Sequence, residues 1–386
     1  MPIKYKLILG LIWFTCATAW GQNHTEHEDE HATESHHEDG HEDFNATETI
    51  LHHIEDTHNW HIVDIPASDG KYIPVELKLP WLFYSSRDGL VFVPGSDALK
   101  EMGYVVHEQK LHAVEPGVEI PESEGHGHHS SISEEWLAEH KAEDVSLVDL
   151  SITKTSLQMI MIGFTMMLVF VSVARGYKKN EGEAPKGIQS FFEPIIVFIR
   201  DDVARSWIGK SADRFVPYLL TLFFFIWFSN LFGLMPFNSN IAGNLSVTAA
   251  LALLTFIITQ VNGTKDYWGH IFNTPGVPWY LKFGIPLVPL VEFVGIFTKP
   301  FALAIRLFAN ISAGHFMVLG LVCLIFILGN NGANPTGALA ISPITILFTL
   351  VVFGLEMIVA IIQAYIFTLL TAVFVGMALE EHDDHH

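Results

Sequence analysis

Charge is scarce in this chain, and most of it sits in one segment. Only 16% of the 386 residues are charged, against roughly 25% in an average soluble domain. Basic side chains are the rarer sign, 21 Lys and Arg against 42 Asp and Glu. Residues 22–150 hold 29 acidic and 6 basic side chains, whereas the rest of the chain is close to neutral. A single soluble globule is excluded by that division. So is a nucleic-acid binder, because no basic patch exists to neutralise phosphates. Cysteine is nearly absent, with Cys16 and Cys323 alone. Cys16 lacks the small-residue context of a lipoprotein site and Cys323 lies in an apolar stretch, so no disulfide framework is available.

Residues 1–21 read as a signal peptide. Lys4 and Lys6 precede about a dozen apolar residues and then small ones, a run too short for a membrane span. Cleavage is expected, and export places residues 22 to about 150 outside the cytoplasm of a bacterial cell. Sixteen of the 21 histidines fall between 22 and 150. They are densest in an acidic His-rich segment, 22–59, with an echo at 125–129. Imidazole with carboxylate can bind zinc, copper or nickel. No ligand spacing recurs, however, and the composition is that of a solvated, disordered polyanion. Residues 60–115 differ: YIPVELKLPWLFYS, GLVFVPG and YVVHEQKLHAV are β-branched runs bounded by Gly and Pro, which predict a small β-rich periplasmic domain. Residues 116–150 read as an acidic linker into a membrane domain, 151–386.

Long uncharged runs then follow. Residues 157–173, 216–236 and 245–261 predict three spans. Two longer apolar arms, 285–328 and 343–379, would run roughly 66 and 55 Å as helices. A hydrocarbon core of about 30 Å holds neither upright. The expectation is a strongly tilted hairpin turning at 330–342, its first arm bent by Pro286, Pro289 and Pro300. Residues 175–214 carry eight Lys and Arg, while the loops near 231–244 and 329–342 carry no charge. The positive-inside rule therefore places the C-terminus in the cytoplasm and the N-terminal domain outside. FFEPIIVFIRDDVARSWIG mixes apolar and charged positions at helical spacing and should lie along the inner membrane face. The fold expected is an all-α polytopic membrane protein, five transmembrane helices plus one membrane-surface amphipathic helix, with the β-rich domain at its N-terminus.

Arg306, His315 and Glu356 lie deep in the hairpin, and Glu292 nearer its inner end. An arginine at mid-membrane costs about 2.5–3.5 kcal/mol on insertion scales and cannot shed its proton, so Arg306 must face water or a polar partner. Residues at equal depth in an antiparallel pair share an index sum. That puts Arg306 level with Gln363, and His315 level with Glu356 about 14 Å further out. An imidazole and a carboxylate at one depth can relay protons. At about 100° per residue His315 points opposite to Arg306, while Glu292 and Asn310 lie within about 40° of it. Either the helices curve, or the outer path runs behind the arm that presents Arg306 elsewhere.

FVPYLLTLFFFIWFSNLFGLMP, VEFVGIFTKPFALAIRLFANISAGH and IIQAYIFTLLTAVFVGMALEEH resemble the a subunit of F-type ATP synthases, over roughly residues 150–382. The resemblance puts that family's essential arginine at Arg306, its glutamine at Gln363 and its polar asparagines at Asn230 and Asn310. The acid–imidazole pair falls on Glu356 and His315 in exchanged positions, and the acidic residue of the cytoplasmic half-channel on Glu292. It implies a proton-translocating stator in a bacterial inner membrane, giving two offset half-channels to a rotating c-ring and not catalytic alone. It also implies peripheral-stalk b subunits and membrane lipid as partners, and no cofactor or bound metal. The long acidic extension departs from the family's usual short N-terminus.

Two other readings compete. A metal-ion transporter is suggested by the outer histidines, but only His315 lies within a span. An intramembrane protease needs a buried dyad, an Asp pair or an HExxH helix. No span carries Asp or HExxH, and Ser312 near His315 is a weak substitute.

Overall fold

The computed structural model describes residues 58–66, 72–107, 110–115, 118, 120, 134–142, 145–179, 182–235, 240–272, 287–329 and 334–380. The expected signal peptide, nearly all of the acidic His-rich segment and its echo at 125–129 lie outside them. The chain divides into two compact units with a boundary between Gln158 and Met159.

In the N-terminal unit, strands β1 (Asn59–Pro66) and β2 (Tyr72–Lys78) form an antiparallel pair. A second hairpin joins β3 (Trp81–Ser85) to β4 (Gly89–Val93), and a third joins β5 (Tyr104–His107) to β6 (Lys110–Ala113). Short helices α1 (Ser96–Glu101) and α2 (Glu134–His140) intervene, and β7 (Leu147–Asp149) completes a three-stranded sheet in the order β4-β3-β7. The stretch expected to be a linker therefore contributes both a helix and a strand. Phe83 to Ser85 pair with β7 in antiparallel register, which makes it part of the sheet.

Side chains alternate across a strand. Trp81, Phe83, Val91 and Val93 accordingly turn inward, with Leu99, Tyr104, Leu111 and Ala113, into one buried core. The Tyr104 hydroxyl enters that core with partners: it donates to the Asp88 carboxylate and lies 2.8 Å from Ser85 Oγ. Arg87 closes the corner. It stacks 4.6 Å over the Tyr104 ring and donates to the carbonyls of Val114 and Met102 and to the Asp88 carboxylate. The Tyr104 hydrogen bond, followed by that of Arg87, holds the Asp88 carboxyl below its ordinary range.

The second unit is helical. Helix α3 (Lys154–Lys179) leads into α4 (Ile188–Phe198). A π-helical turn, Ile199–Arg205, carries α4 on to Ile208. Here the expected amphipathic pattern is visible in burial. Ile199, Val203, Ala204 and Ile208 are buried, while Asp201 bridges Arg200 and Arg205 on the exposed side. Gly209, at φ +71°, breaks the helical path, a conformation that suits glycine. Helix α5 (Ala212–Gly233) follows, then α6 (Leu245–Val261), whose first turn is capped by Asn244 Oδ1 accepting from Ser246 N, and α7 (Lys265–Phe272).

The two long arms are α8 (Leu287–Leu328) and α9 (Pro335–Leu379), which pack along each other. The turn is shorter than expected, because α9 begins at Pro335 rather than at 343. Proline is compatible with a first helical turn, where its missing N–H costs nothing. Asn334 caps that turn by accepting from Gly337 N at 3.1 Å. At 42 and 45 residues the arms run about 63 and 68 Å.

Among the described residues four helical segments are long and apolar enough to cross a membrane: Lys154–Lys179, Ile188–Gly233 with the break at Gly209 inside it, Leu290–Leu328 and Pro335–Leu379. Leu245–Val261 is apolar but shorter, at 17 residues.

Polar side chains tie these helices together. Tyr218 on α5 meets Thr255 on α6 at 3.0 Å, and Thr255 meets Thr371 on α9 at 3.4 Å. Such pairs hold apolar helices together where lipid supplies no hydrophobic drive. Near its C-terminus α9 approaches the Trp207–Ile208 turn so closely that a Cβ on Gly376 would overlap the Trp207 carbonyl.

Candidate functional site

Helices α5, α8 and α9 enclose a cavity of about 190 Å³, far above the ~15 Å³ that one water needs. Asn230, Asn310, His315 and Glu356 all line it. Two buried acceptors there, Asn230 Oδ1 and Glu356 Oε1, lack hydrogen-bond partners. Buried polar atoms are rarely left unpaired, so these two acceptors suit a water molecule or a mobile proton.

Each side chain is positioned by its helix. Asn230 lies in the last turn of α5 and donates through Nδ2 to the Ala360 carbonyl of α9 at 3.2 Å, which turns its oxygen away from that contact. Glu356 stands one turn before Ala360 on α9. Its carboxylate packs over Gly314 of α8, where a Cβ would overlap Oε1 and lie 2.9 Å from Cδ. Glycine at 314 thus makes room for the carboxylate, and the next residue, His315, joins the same lining.

Arg306 lies elsewhere. It is exposed on α8, is absent from the cavity lining, and has Phe301 and Ile305 exposed beside it, 66% and 40% accessible. Arg306 and the cavity are thus separate on α8, although Asn310, one turn from Arg306 and expected on its side, belongs to the lining. Gln363 is buried on α9, and among the described residues no hydrogen bond joins it to Arg306.

Glu292 is half-buried near the start of α8 and lines neither of two cavities in this unit. The second cavity, about 20 Å³, lies one turn further along α8. It is lined there by Ile296 and Lys299 and on the other helices by Thr255, Thr259, Gln260 and Tyr267.

Two cavity residues escaped the sequence reading. Asn240 lines the cavity, accepts from Gly243 N at 3.0 Å, and is wedged between Gly233 and Gly243, where added Cβ atoms would press on its amide. Gly314 was the other. Neither carries charge, so neither stood out against an apolar background. Among the described residues no group of three or more His, Cys, Asp or Glu could hold a metal ion, so the metal-transporter reading finds no ligand set there.

Residues 157–376, more than half of the chain, match the family model described as ATP synthase A chain. Residues 49–149 match a Domain of unknown function (DUF8433). Among curated proteins, ATP synthase subunit a of Chloroherpeton thalassium is 42% identical over 245 residues, covering 63% of this chain and 70% of that protein. ATP synthase subunit a of Anaeromyxobacter dehalogenans strain 2CP-C is 43% identical over 260 residues, 65% of each chain. ATP synthase subunit a 2 of Chlorobaculum tepidum is 42% identical over 249 residues, covering 63% of this chain and 67% of that one. The chain thus spans about two thirds of the length of these relatives.

Proposed function

The chain belongs to the ATP synthase A chain family, and from that premise we propose that it is the proton-conducting stator of a rotary ATP synthase in a bacterial inner membrane. It offers two offset half-channels to a c-ring, and peripheral-stalk b subunits hold it. Five spans cross the bilayer, with α6 as the short one. The N-terminal unit is periplasmic and the C-terminus cytoplasmic.

The observation that carries this reading is the separation of two features on α8. One side lines a largely apolar cavity beside unpaired acceptors of α5 and α9, and another exposes a fixed cation among apolar side chains. Protons enter through the cavity, handed between water, His315 and Glu356 with the amides of Asn230 and Asn310 alongside. They pass to a carboxylate on the ring and leave on the cytoplasmic side near Glu292.

Arg306 stands between entry and exit. Opposite charges about 4 Å apart attract by about 4 kcal/mol at an effective dielectric near 20. That favours an ionised ring carboxylate as it passes, so the carboxylate must release its proton there. The same charge repels a cation that would cross directly between the half-channels. Gln363, buried on the neighbouring arm, is the polar group available to orient the guanidinium.

Arg306→Ala should assemble into the complex and leave ATP-driven acidification of inverted membrane vesicles undetectable. Normal acidification by that variant would overturn the proposal.

A further inference from the structure

The three-stranded sheet of the N-terminal unit is apolar on both faces. While Trp81, Phe83, Val91 and Val93 fill the core, the alternate positions point away from it. Tyr84 is 50% exposed, Leu90 and Phe92 each 67%, and Val148 53%. Tyr84 pairs with Leu90 on one side and Val148 on the other, and Leu82 pairs with Phe92. Directly paired side chains touch, so these residues form one contiguous patch. An antiparallel sheet with a solvated face alternates apolar with polar, and a large exposed apolar patch marks an interaction surface.

The path of the chain identifies what covers the patch. As it leaves β7, Leu150 N donates to the Leu82 carbonyl at 2.8 Å, and Leu82 N donates to Ser151 Oγ at 3.1 Å. The exit is therefore pinned to β3. Helix α3 begins at Lys154, is long and apolar enough to cross a membrane, and its first residues through Gln158 belong to this same compact unit. Apolar exposure recurs at Ile152 and, beyond a stretch from 153 to 159 in which no residue is exposed, at Ile160, Met161 and Phe164 of α3.

We propose that the Tyr84–Leu90–Phe92–Val148 face rests on the lipid bilayer at headgroup level, α3 being the first span to cross it. The proposal depends on α3 being that span. The unit is acidic, so attachment comes from apolar burial rather than from attraction to anionic lipid. Tyr84 suits the boundary, since its ring is apolar and its hydroxyl stays wet.

The test uses the full chain in its complex, reconstituted in phosphatidylcholine vesicles, with Cys16→Ser and Cys323→Ala. A single fluorophore is attached through Leu90→Cys, Phe92→Cys, Glu101→Cys or Phe164→Cys. Emission at 90 and 92 should fall severalfold with a nitroxide lipid and little with iodide, and the reverse should hold at exposed Glu101. Iodide quenching at 90 and 92 equal to that at 101 would put the face in water and overturn the proposal. Protection from both quenchers would show a protein subunit covering it, which also overturns it. Position 164 reports on the span separately. If lipid fails to quench it, the reading of α3 fails and the proposal with it; if lipid quenches 164 but not 90 or 92, only the proposal fails.

Discussion

The two halves of α9 are both predominantly apolar and are used in opposite ways. Its C-terminal half buries a stripe of mostly small residues, Ala360, Ala364, Thr368, Thr371, Ala372, Val375 and Ala378, which lets neighbouring helices approach closely. Its N-terminal half exposes large residues instead, including Leu347, Phe348, Leu350, Val351 and Leu355. The change falls between Glu356 and Ala360, where α5 reaches α9 through Asn230. The cavity lies at that junction. Close packing on one side and an open face on the other leave room for polar atoms that neither a tight interface nor bare lipid would accommodate.

That contrast can be broken most severely at Gly314. Gly314→Ala places a methyl where the Glu356 carboxylate lies. Proton pumping by the assembled complex should fall at least tenfold, a loss of about 1.4 kcal/mol or more in transition-state terms; vesicle acidification assays read it directly. A smaller effect should separate the two halves of α9. Ala372→Leu overpacks the buried stripe and should destabilise the unit by about 1–3 kcal/mol. Leu350→Ala on the open half should stay within about 0.5 kcal/mol, as measured by denaturant titration in detergent.

The smallest effect on pumping is expected in the N-terminal unit. Because the Asp88 carboxyl is held below its ordinary value, it contributes stability above that value of 3.8, and the contribution is lost as pH falls through the depressed value. Resistance of residues 58–150 to proteolysis should therefore drop on acidification. Asp88→Asn should flatten that dependence while proton pumping is unchanged.

Much of the membrane unit was legible because hydrocarbon penalises charge. Arg306, His315 and Glu356 stood out as ionisable groups in apolar runs, and hairpin arithmetic put His315 and Glu356 at one depth; both line one cavity. Helix angles turn His315 away from Arg306, which lies exposed outside that lining, but they also put Asn310 on the side of Arg306, whereas Asn310 lines the cavity with His315. What the sequence concealed was uncharged or short. Asn240 sits in a loop without charge to mark it, and Gly314 acts by lacking a side chain. Leu147–Asp149 is three residues long, too brief for alternation to show, so a strand of the sheet looked like linker. The turn expected at 330–342 is cut short because α9 already begins at Pro335, which a first helical turn accepts.

On the proposed mechanism His315 and Glu356 act on one proton through the shared cavity. It is tested most directly by a double-mutant cycle on ATP-driven acidification, using His315→Ala, Glu356→Ala and the double variant in the assembled complex. The double variant should lose little more than the worse single one, since either change already interrupts the path. Losses that multiply as independent factors would contradict it.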